Sequence, residues 1–194
     1  YLYTSFDFVL SISIPMALGI AALATALAPW FFGQQFSLVN KLLMIEAPVI
    51  VLIGLSNVIG QQFLLPTKQT FTYTVSVVLG AVTNIIVNVP LILAWGVYGA
   101  MVATLLSELA VTLYQLIRVR KALHMRRLFS NSLKYGVAGI CMFIPVYLLN
   151  VNMKISTFSL AGQIIEGILF YVGVILILQP DILKKVTQLR KGKV

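Results

Sequence analysis

Charged residues are scarce in this sequence. Only 10% of its 194 residues are Asp, Glu, Lys or Arg, whereas soluble globular domains carry about 25%. Hydrophobic residues make up 60% of the chain, and the mean hydropathy is +0.99. This composition leaves too little polar surface for an ordinary soluble domain, and it predicts that a lipid bilayer surrounds most of the chain.

Residues that perform catalysis or bind metals are also few. The chain has one cysteine, Cys141, and one histidine, His124, which excludes a disulfide framework and a zinc site built from this chain alone. Its five acids form no pair suited to acid–base catalysis, and its glycines fit no phosphate-binding loop. We therefore expect no enzyme activity, no catalytic residue, no metal and no cofactor.

Acidic residues are outnumbered by basic ones, so the net charge is +9 and the pI is near 9.9. In a soluble protein such a charge would suggest a nucleic-acid partner. Here the Lys and Arg residues stand in short blocks between apolar runs, as they do in membrane proteins. We expect membrane lipids as partners and no nucleic acid.

Six apolar segments approach the roughly 20 residues that a transmembrane helix needs. They predict an all-α, multi-pass transmembrane bundle of about six spans. The predicted spans are Phe8 to Phe32, Leu43 to Leu65, Phe71 to Ala94, Val97 to Ile117, about Ser132 to Val151, and Phe158 to Leu178. A tight turn at Trp95 and Gly96 makes a hairpin of the third and fourth spans.

The chain divides after the fourth span. Residues 1–125 hold four helices and a basic loop, and residues 126–194 hold two further helices and a basic tail. The sequence begins with Tyr1 and has no features of a signal peptide, so we expect it to be a piece of a longer protein.

The basic residues predict the orientation of the spans, because cytoplasmic loops carry the excess of Lys and Arg. Of the 14 such residues, all but Lys41 and Lys154 fall on one side. The main topology determinants follow the fourth span: Arg118, Arg120, Lys121, Arg126 and Arg127. We expect this loop and both ends of the chain to be cytoplasmic, close to anionic lipid headgroups.

Polar and small residues form rows along the predicted hairpin, since residues four apart share a helix face. The fourth span has one row with Thr104, Glu108 and Thr112 and a small row with Gly99, Ala103 and Ser107; the third has Thr72, Ser76, Gly80, Asn84 and Asn88. We expect the rows to face one another or one cavity. Gly80, Gly99 and Ala103 would then permit close helix packing.

Two roles are open for the polar residues. They can hydrogen-bond between packed helices, or they can line a transport pathway; the candidates are Glu108, Thr104, Thr112, Asn84, Asn88, Ser76 and, in the sixth span, Glu166. A charge at the bilayer centre costs roughly 2.5 kcal/mol or more, and no Lys or Arg lies at mid-depth. We expect Glu108 to be protonatable, open to water, or paired outside this sequence.

Three stretches together resemble oligosaccharide flippases of the multidrug/oligosaccharidyl-lipid/polysaccharide exporter superfamily. They are SISIPMALGIAALATALAPWFFGQQF, IEAPVIVLIGLSNVIGQQFLLPTKQT and VTNIIVNVPLILAWGVYGAMVATLLSE. The most specific part is the Asn-x3-Asn hairpin that leads through WGVYGA to Glu108. The resemblance covers about residues 1–125, and the last two spans agree only in position and length.

The resemblance implies the C-terminal portion of a larger, two-lobed, alternating-access transporter. Its substrate would be an undecaprenyl-diphosphate-linked oligosaccharide, flipped across the bacterial cytoplasmic membrane for surface polysaccharide biosynthesis. Partners would include the missing N-terminal part of the chain and other polysaccharide assembly proteins. Two alternatives stay open: a drug/cation antiporter of the same superfamily, and a membrane scaffold that transports nothing.

Overall fold

The computed structural model describes residues 2–36 and 38–180, and this part of the chain is all-α. The helices are α1 (Leu2–Phe32), α2 (Leu38–Ile59), α3 (Thr70–Trp95), α4 (Val97–Val119), α5 (Met125–Leu128), α6 (Ser132–Asn152) and α7 (Thr157–Leu178). A π-helical segment, Gly60–Leu64, extends α2. Six spans are long and apolar enough to cross a membrane, with α5 joined to α6. The predicted multi-pass membrane fold is confirmed.

The predicted hairpin of the third and fourth spans is confirmed, because α3 ends at Trp95 and α4 begins at Val97. Gly96 makes the reversal with a φ of 59°, a conformation that residues with a Cβ rarely adopt. Three positions further on, a Cβ on Gly99 would collide with the carbonyl of Leu91. Glycines at these two positions therefore allow α3 and α4 to diverge from a single-residue turn.

The second span begins earlier than its apolar run predicts. Helix α2 starts at Leu38 rather than Leu43. Lys41 can belong to its first turn because the side chain is exposed there and keeps its charge outside the bundle. Glu46 therefore lies eight residues inside the helix, about 12 Å from its start.

The helices pack in a fixed order. Helix α1 packs on α2 and α6, α2 packs on α4, α4 on α3, and α7 on α6. Helix α3 is the outermost, with only Ser76 and Gly80 fully buried. Its outer surface exposes large apolar side chains such as Leu93, which is 83% exposed, and this surface suits contact with lipid or with another membrane segment.

One end of the bundle, here called the basic end, collects the N-terminus of α1, the loop from α4 to α6, and the end of α7. The backbone N–H of His124 donates to the Tyr3 hydroxyl at 3.1 Å, and Lys134 Nζ donates to the Gln179 carbonyl at 3.4 Å. All five predicted topology determinants are exposed there, namely Arg118, Arg120, Lys121, Arg126 and Arg127. The predicted basic tail after residue 180 lies outside the described residues.

Candidate functional site

Helix α4 divides its polar residues between two neighbours. The small row of Gly99, Ala103 and Ser107 is buried and turns toward α3, where Asn84 Nδ2 donates to Ser107 Oγ at 3.4 Å. The row of Thr104, Glu108 and Thr112 faces α2, as the hydrogen bond from Thr112 Oγ1 to the Leu52 carbonyl at 3.0 Å shows. The expectation that the polar rows of α3 and α4 face one another is met only in part.

Close packing of the hairpin depends on small residues. A Cβ on Gly80 would collide with Val111 Cγ2 on α4 and would lie 3.7 Å from the Ser107 carbonyl oxygen. Ala103 is completely buried, and Gly99 lies against the backbone of Leu91. These contacts show the close approach of α3 and α4 that the small residues predicted.

The polar side chains in the half of the hairpin nearer the basic end are buried. Ser76, Thr112 and Gln115 are at most 2% exposed. Gln115 Nε2 donates to Ser76 Oγ at 2.9 Å, and Ser76 Oγ in turn donates to the Tyr73 carbonyl at 2.6 Å. Hydrogen bonds between packed helices of this kind stabilise a membrane bundle, so these residues act in the structure as helix contacts.

The other half of the hairpin is more open. Asn84, Asn88, Thr104 and Glu108 are less buried than the residues near the basic end. Asn88 Nδ2 donates to Asn84 Oδ1 at 3.4 Å, but the buried Asn88 Oδ1 has no hydrogen-bond partner. The Thr104 hydroxyl donates only to the Ala100 carbonyl of its own helix. A buried amide oxygen without a partner is therefore found in each half, at Gln115 near the basic end and at Asn88 here, and what distinguishes this half is its greater exposure.

Glu108 has an acidic neighbour that the sequence did not reveal. It lies midway along α4, about 16 Å from the start of the helix, and Glu46 on α2 is close enough for the two carboxylates to interact electrostatically. Neither has an ion-pair partner within the described residues. A charge-balanced state of this pair requires a proton, a cation, or a basic group from elsewhere.

Glu166 is not part of this arrangement. It lies half-buried on α7, which packs on α6 and α1, whereas Glu108 is on α4, which packs on α2 and α3. A polar contact of α7 instead involves Gln163, whose Oε1 accepts from Asn150 Nδ2 at 3.0 Å. Asn150 Oδ1 also accepts from the Thr25 hydroxyl. This network joins α1, α6 and α7 and gives both amides partners.

A second feature is an apolar groove between α1, α6 and α7, with a volume of about 470 Å³. Its walls include Met16, Ile20, Met142 and Ile168. Apolar side chains form nearly all of the surface, and the hydroxyl of Tyr171 is one of its few polar groups. Periodicity could not predict this groove, because a sequence pattern does not show where two neighbouring helices separate and leave a space between them.

Comparisons with known proteins give two sequence relatives. The probable low-salt glycan biosynthesis flippase Agl15 of Haloferax volcanii is 28% identical over 174 residues, which cover 86% of this chain and 35% of the relative. The lipid II flippase MurJ of Bacillus subtilis is 32% identical over 116 residues, 58% of this chain and 21% of the relative. The chain thus spans about a third or less of these proteins. No family model matches the chain.

The fold is also found among solved structures. Lipid II flippase MurJ in an inward closed conformation superposes with a TM-score of 0.80 and 23% sequence identity, over 94% of this chain and 39% of that protein. The chain is thus similar in sequence to two flippases and in fold to lipid II flippase MurJ, in agreement with the flippase resemblance of its three motif stretches.

Proposed function

We propose that the full-length protein is a flippase for lipid-linked glycans. Its substrate is an undecaprenyl-diphosphate-linked oligosaccharide repeat unit, moved across the bacterial cytoplasmic membrane for surface polysaccharide biosynthesis. The described helices form part of one lobe of an alternating-access transporter, with both ends of this chain in the cytoplasm. The names of the two relatives support a lipid-linked substrate, and translocation of such a substrate involves no enzymatic step.

The observation that carries this proposal is the partly open polar surface at mid-depth on α2, α3 and α4. Glu46, Glu108, Asn84 and Asn88 contribute to it. A helix bundle that only has to be stable gains nothing from acids in this position, because a charge there is costly. A transporter needs such groups where substrate or a coupling ion passes through the membrane.

The apolar groove supports a substrate with a hydrocarbon part. It is lined by side chains of three helices and is open enough for a chain of methylene groups, whose burial stabilises by about 0.8 kcal/mol for each CH₂. The described helices offer no Lys or Arg at mid-depth. Cations that bind the diphosphate therefore belong to the remainder of the full-length protein. That remainder is the first partner of this chain, and other polysaccharide assembly proteins are further partners.

One observation favours a second candidate function. Glu46 is close enough to Glu108 to interact with it electrostatically, and neither acid has a cationic partner in the described part of the chain. Two such acids suit the binding and release of a cation. This arrangement is expected of a drug/cation antiporter, in which an organic cation takes the place of the lipid-linked glycan.

A reconstitution experiment tests the proposal. The full-length protein in proteoliposomes is expected to move an NBD-labelled undecaprenyl-diphosphate-linked oligosaccharide into the leaflet where impermeant dithionite quenches it. Glu108→Gln keeps the hydrogen-bonding groups but cannot titrate, so we expect it to lose flipping at unchanged protein abundance. Glu166→Gln is the matched control, since it changes a mid-membrane acid on a helix that does not pack on α4.

The outcomes separate the alternatives. Flipping by Glu108→Gln at the parental rate would leave Glu108 as a structural contact only. Proton-driven efflux of an organic cation such as ethidium, without movement of the labelled glycan, would favour the antiporter. Movement of neither probe by the parent protein would refute both transport functions and leave a membrane scaffold.

A further inference from the structure

A proline in α1 leaves a backbone carbonyl without its usual donor. In an α-helix the N–H of residue 15 would donate to the carbonyl of Ser11, but Pro15 has no N–H. In a membrane an unpaired carbonyl costs several kcal/mol, because no water is available to bond it. The hydroxyl of Tyr171 on α7 donates to this carbonyl oxygen at 2.7 Å. A side chain of another helix has taken the place of the missing backbone donor.

This arrangement distinguishes Pro15 from the other helical prolines of the described residues. Pro29, Pro48, Pro90 and Pro145 also lie inside helices. The carbonyls that those prolines release accept no side-chain hydrogen bond in the described part of the chain. Among the described residues, the carbonyl released by Pro15 is therefore the one that a side chain of another helix hydrogen-bonds.

The bond lies where α7 has little else to hold it to α1. Helix α7 packs mainly on α6, and its contact with α1 is sparse because the apolar groove separates them. At the far end of α7, Trp30 Nε1 donates to Thr157 Oγ1 at 3.1 Å. Ser11, Pro15 and Tyr171 all line the groove, so the Tyr171 bond closes the end of the groove that is nearer the basic end.

We propose that Tyr171 is a latch between α7 and α1. While its hydroxyl occupies the carbonyl released by Pro15, α7 is held against α1 and the groove keeps its present width. When the bond breaks, α7 moves away from α1 on its hairpin with α6, and the groove widens toward the bilayer. The device depends on both residues, because in a helix with a complete backbone ladder the Ser11 carbonyl would already accept an N–H and the Tyr171 bond would contribute much less.

A double-mutant experiment tests the latch directly. Spin labels at Phe8→Cys on α1 and Leu176→Cys on α7, both exposed on the bundle surface, report the distance between the helices in the full-length protein in lipid nanodiscs. The background carries Cys141→Ser and no other cysteine. Tyr171→Phe is expected to raise the population with a longer distance by about fivefold, the factor that follows from the net loss of one hydrogen bond.

The expected result depends on Pro15. Pro15→Ala supplies the missing N–H, so the Ser11 carbonyl regains a donor within α1 and Tyr171→Phe should cause no further change in that background. Tyr147→Phe on α6 is the matched control, since the Tyr147 hydroxyl makes no hydrogen bond among the described residues. It should leave the distance distribution unchanged.

Two results would overturn the latch. One is a Tyr171→Phe distance distribution equal to that of the parent, and the other is an equal shift with and without the Pro15→Ala substitution. If Tyr171→Phe does not accumulate in the membrane, abundance becomes the measurement. Recovery of the protein by adding Pro15→Ala supports the latch, and equal loss in both backgrounds refutes it. None of these measurements depends on which substrate the protein moves.

Discussion

Replacement of Gly80 by leucine should separate α3 from α4. Gly80 is buried in the middle of α3, and a Cβ at this position would collide with Val111 Cγ2 and approach the Ser107 carbonyl to 3.7 Å. The leucine side chain adds three further carbons beyond that Cβ. The Cβ itself strains only the contact with the Val111 side chain, but the three further carbons have no room between the helices and should push α3 and α4 apart.

The expected cost follows from these contacts. Gly80→Ala gains roughly 1 kcal/mol of helix propensity but overpacks the contact, which typically costs about 1–3 kcal/mol, so its net effect is about 0–2 kcal/mol. Gly80→Leu adds the loss of the bond from Asn84 to Ser107, and interhelical bonds of this kind contribute about 0.6 kcal/mol. We expect a destabilisation of about 3 kcal/mol or more for leucine, since its overpacking is at the upper end of that range.

The measurement is the apparent thermal midpoint of the full-length protein in detergent. Gly173→Leu on α7 is the matched control, because a Cβ there meets no atom within 4 Å. Val111→Ala removes the atom that Gly80→Ala would strike, so the cost of Gly80→Ala should shrink in that background by about 0.5–3 kcal/mol, the usual coupling between residues in contact. A Gly80→Leu midpoint equal to that of the parent would refute this view of the hairpin.

Two further predictions concern the buried polar contact and the orientation. Ser76→Ala should destabilise the protein by about 1–3 kcal/mol, because buried Gln115 Nε2 loses its acceptor. Ser76→Thr keeps the hydroxyl and should lose less stability. Equal thermal midpoints for Ser76→Ala and the parent would contradict the assignment. On a cysteine-free background, exposed Lys154→Cys should react with an impermeant maleimide in intact cells, while exposed Lys121→Cys should react only after lysis. Labelling of position 121 from outside would reverse the orientation.

Most of the fold could be predicted because the chain satisfies its backbone in lipid only as helices. Long apolar runs therefore predict both the type and the number of the spans. The ends of helices are less predictable, since a polar residue there can remain helical while its side chain reaches water. Leu38 to Lys41 illustrate this, because they belong to α2 although their composition differs from that of the apolar run.

The candidate site was less predictable, because periodicity gives the face of a residue but not the neighbour of that face. Residues four apart predicted that Gly80 and Asn84 share a surface, and the structure places both against α4. The same rule could not show that Glu108 turns toward α2 and Glu46. It likewise gave no reason to connect Tyr171 with Ser11, which are 160 residues apart.

The polar rows of the hairpin combine two roles that sequence spacing cannot separate. Near the basic end, Ser76, Thr112 and Gln115 are buried and hydrogen-bonded to neighbouring helices, so their substitution should change stability first. Beyond them, Asn88 and Glu108 are less buried, and Asn88 keeps unused hydrogen-bonding capacity. Because the first group holds α3 and α4 together, the second group can exchange partners in the proposed transport cycle while the hairpin stays intact. If the proposed transport function is right, a functional screen of the full-length protein should find substitutions that lower activity at unchanged stability in the half away from the basic end.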